Sequence, residues 1–255
     1  MKAQPASPWV ERFSPRSEGR LRLFCFPYAG GGAAVFRQWP GLLPEGIELC
    51  AVELPGRGRR FGEPLFKTLS LLVSELALHL EPFFDRPFAF YGHSMGGVLA
   101  FELARSLRAA KKRGPEILFV SASEPPHRPK KREKILHRLP DPELLQELDR
   151  LGGTPPEVLR YRELIELFLP VVRADLELLE TYRYSEGSPL SIPLIAFGGR
   201  EDREVSLKDL PSWAQLTTGD FSLHDLPGDH FFLRSSQEGL LRILSEALRQ
   251  ISRMS

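Results

Sequence analysis

The run Phe88-Ala89-Phe90-Tyr91-Gly92-His93-Ser94-Met95-Gly96-Gly97-Val98-Leu99-Ala100 constrains this chain more than any other stretch. An apolar strand ends in Gly-His-Ser-Met-Gly, and an Ala/Leu-rich helix follows at once. G-x-S-x-G in that strand–turn–helix context forms a nucleophile elbow. So sharp a turn strains the backbone of the serine and needs small neighbours, which Gly92 and Gly96 supply. Ser94 is then exposed at a helix N-terminus, where backbone N–H groups face developing negative charge. The same five-residue pattern without its flanks would be mere punctuation. With them it implies an activated serine on a layered α/β fold.

The rest of the chain is compatible with that fold. From Leu21 onward, short apolar runs alternate with helical stretches, the mark of a mostly parallel sheet with helices on both faces. The pattern predicts strands over Leu21–Phe26, Ile47–Val52, Phe88–Tyr91, Ile117–Ala122, Leu194–Phe197 and Phe221–Leu226. It predicts helices over Leu69–Phe83, Val98–Arg108, Leu207–Gln215 and Gln237–Ile251. In the last of these Leu240, Leu241, Leu244 and Leu248 form an apolar stripe. A chain of 255 residues buries roughly 70–75% of its extended surface, so it needs no disulfide staples. Cys25 and Cys50 fall in apolar strand runs and are expected to be buried free thiols, with no metal-ligand spacing. A net charge of +1 gives no global attraction to nucleic acid or to an anionic membrane. Met1 to Gly19 is Pro/Ser-rich and lacks the apolar core of a signal peptide, and no apolar run is long enough for a bilayer. The expectation is therefore a cytoplasmic monomer with no cofactor. Residues 1–20 form an N-terminal arm and 21–255 a single domain.

One segment breaks the alternation. About seventy residues without a strand signal separate the strands at 117–122 and 194–197, too many for an ordinary crossover. Asp141 is a plausible N-cap with Pro142 at N1, Leu144, Leu145, Leu148 and Leu151 share a face, and Gly152-Gly153 ends the helix. A second helix is expected from near Pro155-Pro156, carrying Leu159, Leu164, Ile165 and Phe168. A third holds Val172, Leu176 and Leu179. The insertion, about 126–187, is either an extra helical layer or a lid. The lid is favoured because the elbow opens on that edge of the sheet.

A serine hydroxyl needs a base, and the base needs a third group to fix its tautomer. Of six histidines, His93 adjoins Ser94 and should point away, and His79 sits mid-helix. His127 and His137 lie in a basic stretch expected to be solvated, and His224 lies within a strand. His230 follows the last strand in Gly228-Asp229-His230-Phe231-Phe232, where this architecture carries its base. Chain order then asks for an acid between them, and Asp202, in Gly198-Gly199-Arg200-Glu201-Asp202, leaves the preceding strand on the correct edge. Glu124, just past the strand at 117–122, is the rival acid. Oxyanion donors should be the Met95 N–H and one from the loop Pro27-Tyr28-Ala29-Gly30-Gly31-Gly32. That loop lacks both the G-x-G-x-x-G spacing and a following Gly-Lys-Ser/Thr, which argues against a phosphate-binding loop.

Five blocks in order now carry a family resemblance: Phe26-Pro27-Tyr28-Ala29-Gly30-Gly31, Leu54-Pro55-Gly56-Arg57, Gly92-His93-Ser94-Met95-Gly96-Gly97, Gly198-Gly199-x-x-Asp202 and Gly228-Asp229-His230-Phe231-Phe232. From about Leu21 to Leu248 the chain resembles the type II thioesterases, stand-alone α/β-hydrolase enzymes serving polyketide, nonribosomal-peptide or fatty-acid synthases. Arg173-Ala174-Asp175-Leu176 and Glu180-Thr181-Tyr182 in the insertion share in it. The resemblance implies a triad of Ser94, Asp202 and His230, with Ala29 and Met95 as oxyanion donors. Tyr28, Leu176, Leu179 and Phe231 are the candidate substrate contacts. It also implies hydrolysis of acyl groups from the phosphopantetheine arm of an acyl or peptidyl carrier protein. Two departures bear on the substrate chamber: Gly58 where the family often has an acidic residue, and Ser121-Ala122-Ser123-Glu124 where it often has Ser-Gly-Arg. Arg105, Arg108 and Lys112, with Lys130-Lys131-Arg132, are candidate docking charges for an acidic carrier. A carboxylesterase or lipase would carry the same triad, and a non-catalytic binding protein could keep the fold.

Overall fold

A computed structural model describes residues 7–13, 19–128, 134–154 and 160–254. The apolar runs pair as one sheet of β1 (Val10–Glu11), β2 (Leu21–Phe26), β3 (Ile47–Val52), β4 (Phe88–His93), β5 (Leu118–Ser121), β6 (Leu194–Gly199) and β7 (Phe221–Leu226). The spatial order is β1-β3-β2-β4-β5-β6-β7. Every pair is parallel except β1 with β3. Strands β2 to β5 are buried at every position, as strands covered on both faces must be, and so read as continuous apolar runs. The exceptions prove to be paired: Arg22 on β2 sits in register with Glu48 on β3 and donates Nε–H to it at 2.7 Å.

The helices are α1 (Leu69–Leu80), α2 (Met95–Ala109), α3 (Asp141–Leu151), α4 (Arg162–Thr181), a single turn α5 (Phe232–Ser235) and α6 (Gln237–Met254). Phe24, Phe26, Phe88 and Phe90 face α1 and α2 in one core. Leu23, Cys25, Ala89 and Tyr91 face the other way, under the Leu240/Leu241/Leu244/Leu248 stripe of α6. Both cysteines are buried and free. The doubly covered, mostly parallel sheet expected from the alternation is the architecture found.

Several element ends move. The first helix stops at Leu80 and continues as a 3₁₀ turn, Glu81–Phe83, because Pro82 has no N–H for the α ladder. The stretch expected as a helix over 207–215 is a 3₁₀ segment, Leu210–Leu216, with Pro211 at its start. The edge strand β1 lies in the N-terminal arm, where two residues are too few to show a period.

In the insertion, α3 ends at Gly152 in the left-handed region (φ 75°) as expected. Its N-cap, however, is Pro140; Asp141 is already helical and accepts from Arg173 instead. The two further helices merge into one, α4, with Pro170 inside it. Leu169, Val172 and Leu176 of α4 form a separate small core with Leu144 and Leu148 of α3. That burial outweighs the missing proline N–H. Pro155, Pro156 and Leu159, with Lys130, Lys131 and Arg132, lie outside the described residues.

Candidate active site

The elbow exists because two glycines permit it. A Cβ on Gly92 would overlap the Gly96 carbonyl, and one on Gly96 would overlap the Phe26 carbonyl. Ser94 between them takes φ 53° and ψ −115°, a strained conformation that lifts its side chain off the sheet edge. Its N–H is held by the Ser121 carbonyl of β5 at 2.8 Å. Helix α2 starts at Met95, three residues before the apolar periodicity suggested, since Gly96 and Gly97 hide its first turn.

His230, on the loop after β7, stands with Nε2 2.9 Å from Ser94 Oγ and Nδ1 2.9 Å from Asp202 Oδ2. With Nδ1–H donated to the carboxylate, Nε2 is left to accept the serine hydroxyl. Asp202 is anchored on its other oxygen, which accepts the Glu204 and Val205 N–H groups at 2.8 and 3.0 Å. Burial alone would push the Asp202 carboxyl up; the His230 hydrogen bond and charge and the two amides outweigh it and hold it below the ordinary value. Glu124 lines the cavity at Ser94 but does not hold His230 Nδ1, which Asp202 occupies.

His93 does turn away from Ser94, yet it is not idle. It is fully buried, donates Nε2–H to the His230 carbonyl at 2.8 Å and accepts the Ser121 hydroxyl on Nδ1 at 3.0 Å. Burial, seconded by His230, pulls it down to about 3, so it is a neutral strut under His230. Nothing in the sequence but its adjacency to Ser94 could have signalled this. His137, expected to be solvated, instead lies 2.5 Å from Glu180 through Nδ1, in a junction where Glu180 also accepts the Leu136 and His137 N–H groups.

Above Ser94 opens a cavity of about 1960 Å³. Tyr28, Leu176, Leu179 and Phe231 all line it, as do Ala29, Met95, Phe168 and Val172. The Ala29 and Met95 N–H groups donate to no partner among the described residues. Tyr28 meets Phe231 edge-on at 5.0 Å, and its hydroxyl accepts from Arg234. The two departures have local causes. At Gly58, φ is 51° and the Glu53 carboxylate already occupies the space of a side chain. Ala122 takes φ 47°, a conformation glycine would adopt without strain. The candidate docking cations are engaged: Arg105 with Glu102 and the Ser185 carbonyl, Arg108 with the Pro189 carbonyl, and Lys112, which lies beyond the end of α2, with Glu81.

A serine on a strand-to-helix elbow, met by a histidine after the last strand and a carboxylate after the one before, on a doubly covered parallel sheet, defines an α/β-hydrolase fold. The thioesterase-domain family model matches residues 21–248. Linear gramicidin dehydrogenase LgrE of Brevibacillus parabrevis is 43% identical over 95% of this chain and 93% of its own. Thioesterase PikA5 of Streptomyces venezuelae is 34% identical over 94% and 85%. The solved structure of the type II thioesterase BorB, from the borrelidin biosynthetic cluster, superimposes with a TM-score of 0.87, 34% identity and coverage of 96% and 99%. The first relative's name speaks of a dehydrogenase, yet the glycine loop at 27–32 lacks dinucleotide spacing and lies beside the serine. The chain belongs to the thioesterase family, in its type II group, and is a thioester hydrolase.

Proposed function

We propose that Ser94 is the nucleophile, His230 the base, Asp202 its orienting acid, and that the Ala29 and Met95 N–H groups receive the oxyanion. The observation that carries this reading is the unbroken Ser94–His230–Asp202 chain, two contacts of 2.9 Å opening on the cavity floor. Ser94 Oγ attacks the thioester carbonyl carbon as its proton passes to His230 Nε2. The carbonyl oxygen becomes an oxyanion against the two N–H groups, then re-forms its double bond as the carbon–sulfur bond breaks. A thiolate leaves readily and takes the proton from His230. Water attacks the acyl-serine ester by the same route, releasing the acid and restoring Ser94.

The substrate is an acyl group on the phosphopantetheine arm of a carrier protein, and the role is editing, clearing stalled acyl groups so that the synthase resumes. This finer reading draws support from the type II thioesterase BorB, which is named for a biosynthetic cluster. The insertion, about 126–187, roofs the acyl chamber as a lid over the hydrolase domain of 21–255. Arg105, Arg108 and Lys112 contribute little to docking, since each already has an intramolecular partner.

The test is a turnover panel with one acyl group presented on carrier protein, coenzyme A and a simple oxygen ester, with Ser94→Ala as control. Carrier substrate should have the highest kcat/KM. Ser94→Ala should lose turnover on the order of 10⁶-fold together with fluorophosphonate labelling. Ester turnover above thioester turnover would overturn the substrate assignment, and a Ser94→Ala protein keeping a tenth of the activity would overturn the nucleophile.

A further inference from the structure

The loop that presents Ala29 is a tight turn. The Gly31 N–H donates to the Tyr28 carbonyl at 2.9 Å, Gly30 has φ 77°, and Ala29 is not among the positive-φ residues, which makes Tyr28–Gly31 a type II turn. In a trans peptide the carbonyl and N–H point oppositely, so turning the Tyr28 carbonyl inward aims the Ala29 N–H outward. What fixes this turn in space is not the sheet. The Gly30 N–H donates to Asp175 Oδ2 at 2.8 Å, and the Gly31 carbonyl accepts from Arg57 Nη1 at 3.0 Å. Arg57 in turn grips Asp175 with two bonds, 2.7 and 2.9 Å. Arg57 is 9% and Asp175 3% exposed.

We propose that Asp175 and Arg57 are positioning residues that set the oxyanion turn and tie it to the wall of the acyl chamber. The inference rests on the reading of Ala29 as an oxyanion donor. Asp175 comes from α4, the helix whose Phe168, Val172, Leu176 and Leu179 line the cavity. The same helix packs on the turn: a Cβ at Gly30 would stand 2.7 Å from Val172 Cγ2 and 3.0 Å from Phe168. The helix that shapes the acyl chamber thereby holds the peptide next to the one that receives charge.

Stability alone is a weak reason for such a pair, because buried ion pairs replaced by apolar residues of like volume often lose nothing. Apolar residues cannot, however, accept the Gly30 N–H. That difference is testable in the full-length protein with three variants: Asp175→Leu, the double variant Arg57→Met/Asp175→Leu, and Asp175→Asn, which keeps an acceptor oxygen. Asp175→Leu should lower both Tm and kcat. The double variant should recover Tm while kcat stays down on the order of 10²-fold with KM for the acyl-carrier substrate unchanged. An aryl boronic acid, which forms a tetrahedral anion on Ser94, should lose affinity by the same factor as kcat/KM. Asp175→Asn should retain more kcat than Asp175→Leu. Recovery of kcat along with Tm in the double variant, equal loss in the Asn and Leu variants, or unchanged boronate affinity would each overturn the proposal. Ser94→Ala run in parallel reads the nucleophile assignment separately: turnover without Ser94 sinks that reading and this inference with it.

Discussion

In the proposed triad Asp202 orients a histidine and does little else. Its Oδ1 accepts two backbone amides and its Oδ2 faces His230, and the side chain is fully buried, which keeps the carboxylate out of reach of substrate. Its lowered pKa keeps it ionised across the working range, as a group that stabilises an imidazolium must be. Asp202→Asn should therefore cut kcat by roughly 10⁴, the scale seen when the base is held in the wrong tautomer. Glu124→Gln should change kcat little. Measured side by side on one acyl-carrier substrate, the pair decides the acid, and a crippled Glu124→Gln would reverse the assignment. The pairing of Asp202 with His230 was legible from chain order and the Gly-Gly loop. The positions of His93 and Asp175 were not, because each acts through a backbone group 137 and 145 residues away in the chain.

Among elements, the insertion departs furthest from its sequence pattern. Two helical stripes straddling Pro170 read as two helices, but α4 runs through because α3 buries its apolar face. Its polar residues are anchors: Arg173 donates to the His137 and Leu139 carbonyls, Asp175 joins Arg57, Glu180 accepts the Leu136 and His137 N–H groups, and just past its end the Tyr182 hydroxyl donates to Glu102 at 2.5 Å. A helix tied at so many points is a fixed wall of the cavity. Leu176→Trp should then shorten the preferred acyl chain, seen as a larger fall in kcat/KM for long acyl thioesters than for acetyl. Labelling of Ser94 by a small fluorophosphonate should continue at near the wild-type rate. A uniform loss across chain lengths would show that Leu176 does not border the acyl path.

At the scale of the whole molecule, the N-terminal arm closes the sheet. β1 pairs with β3, and Trp9 just before it is 3% exposed, stacked on His79 at 4.9 Å and beneath the Arg60 guanidinium at 3.8 Å. Trp9→Ala should cost about 3 kcal/mol and lower Tm by roughly 6–12 °C in a thermal unfolding scan. A shift under about 2 °C would mean the arm lies outside the cooperative unit. The sequence by itself determined the doubly covered sheet, the elbow and the chain order in which Ser94, Asp202 and His230 meet. These rest on local signals: burial on both faces makes strands apolar, a tight turn demands glycine, and βα loops fall on one edge of a parallel sheet. Only the tertiary structure decided that β1 completes the edge, that α4 is one helix, and that Arg57 meets Asp175 across 118 residues beside the Tyr28–Gly31 turn. The reason is that a buried charge or an interrupted stripe takes its meaning from the partner packed against it, and propensity and period carry no record of that partner.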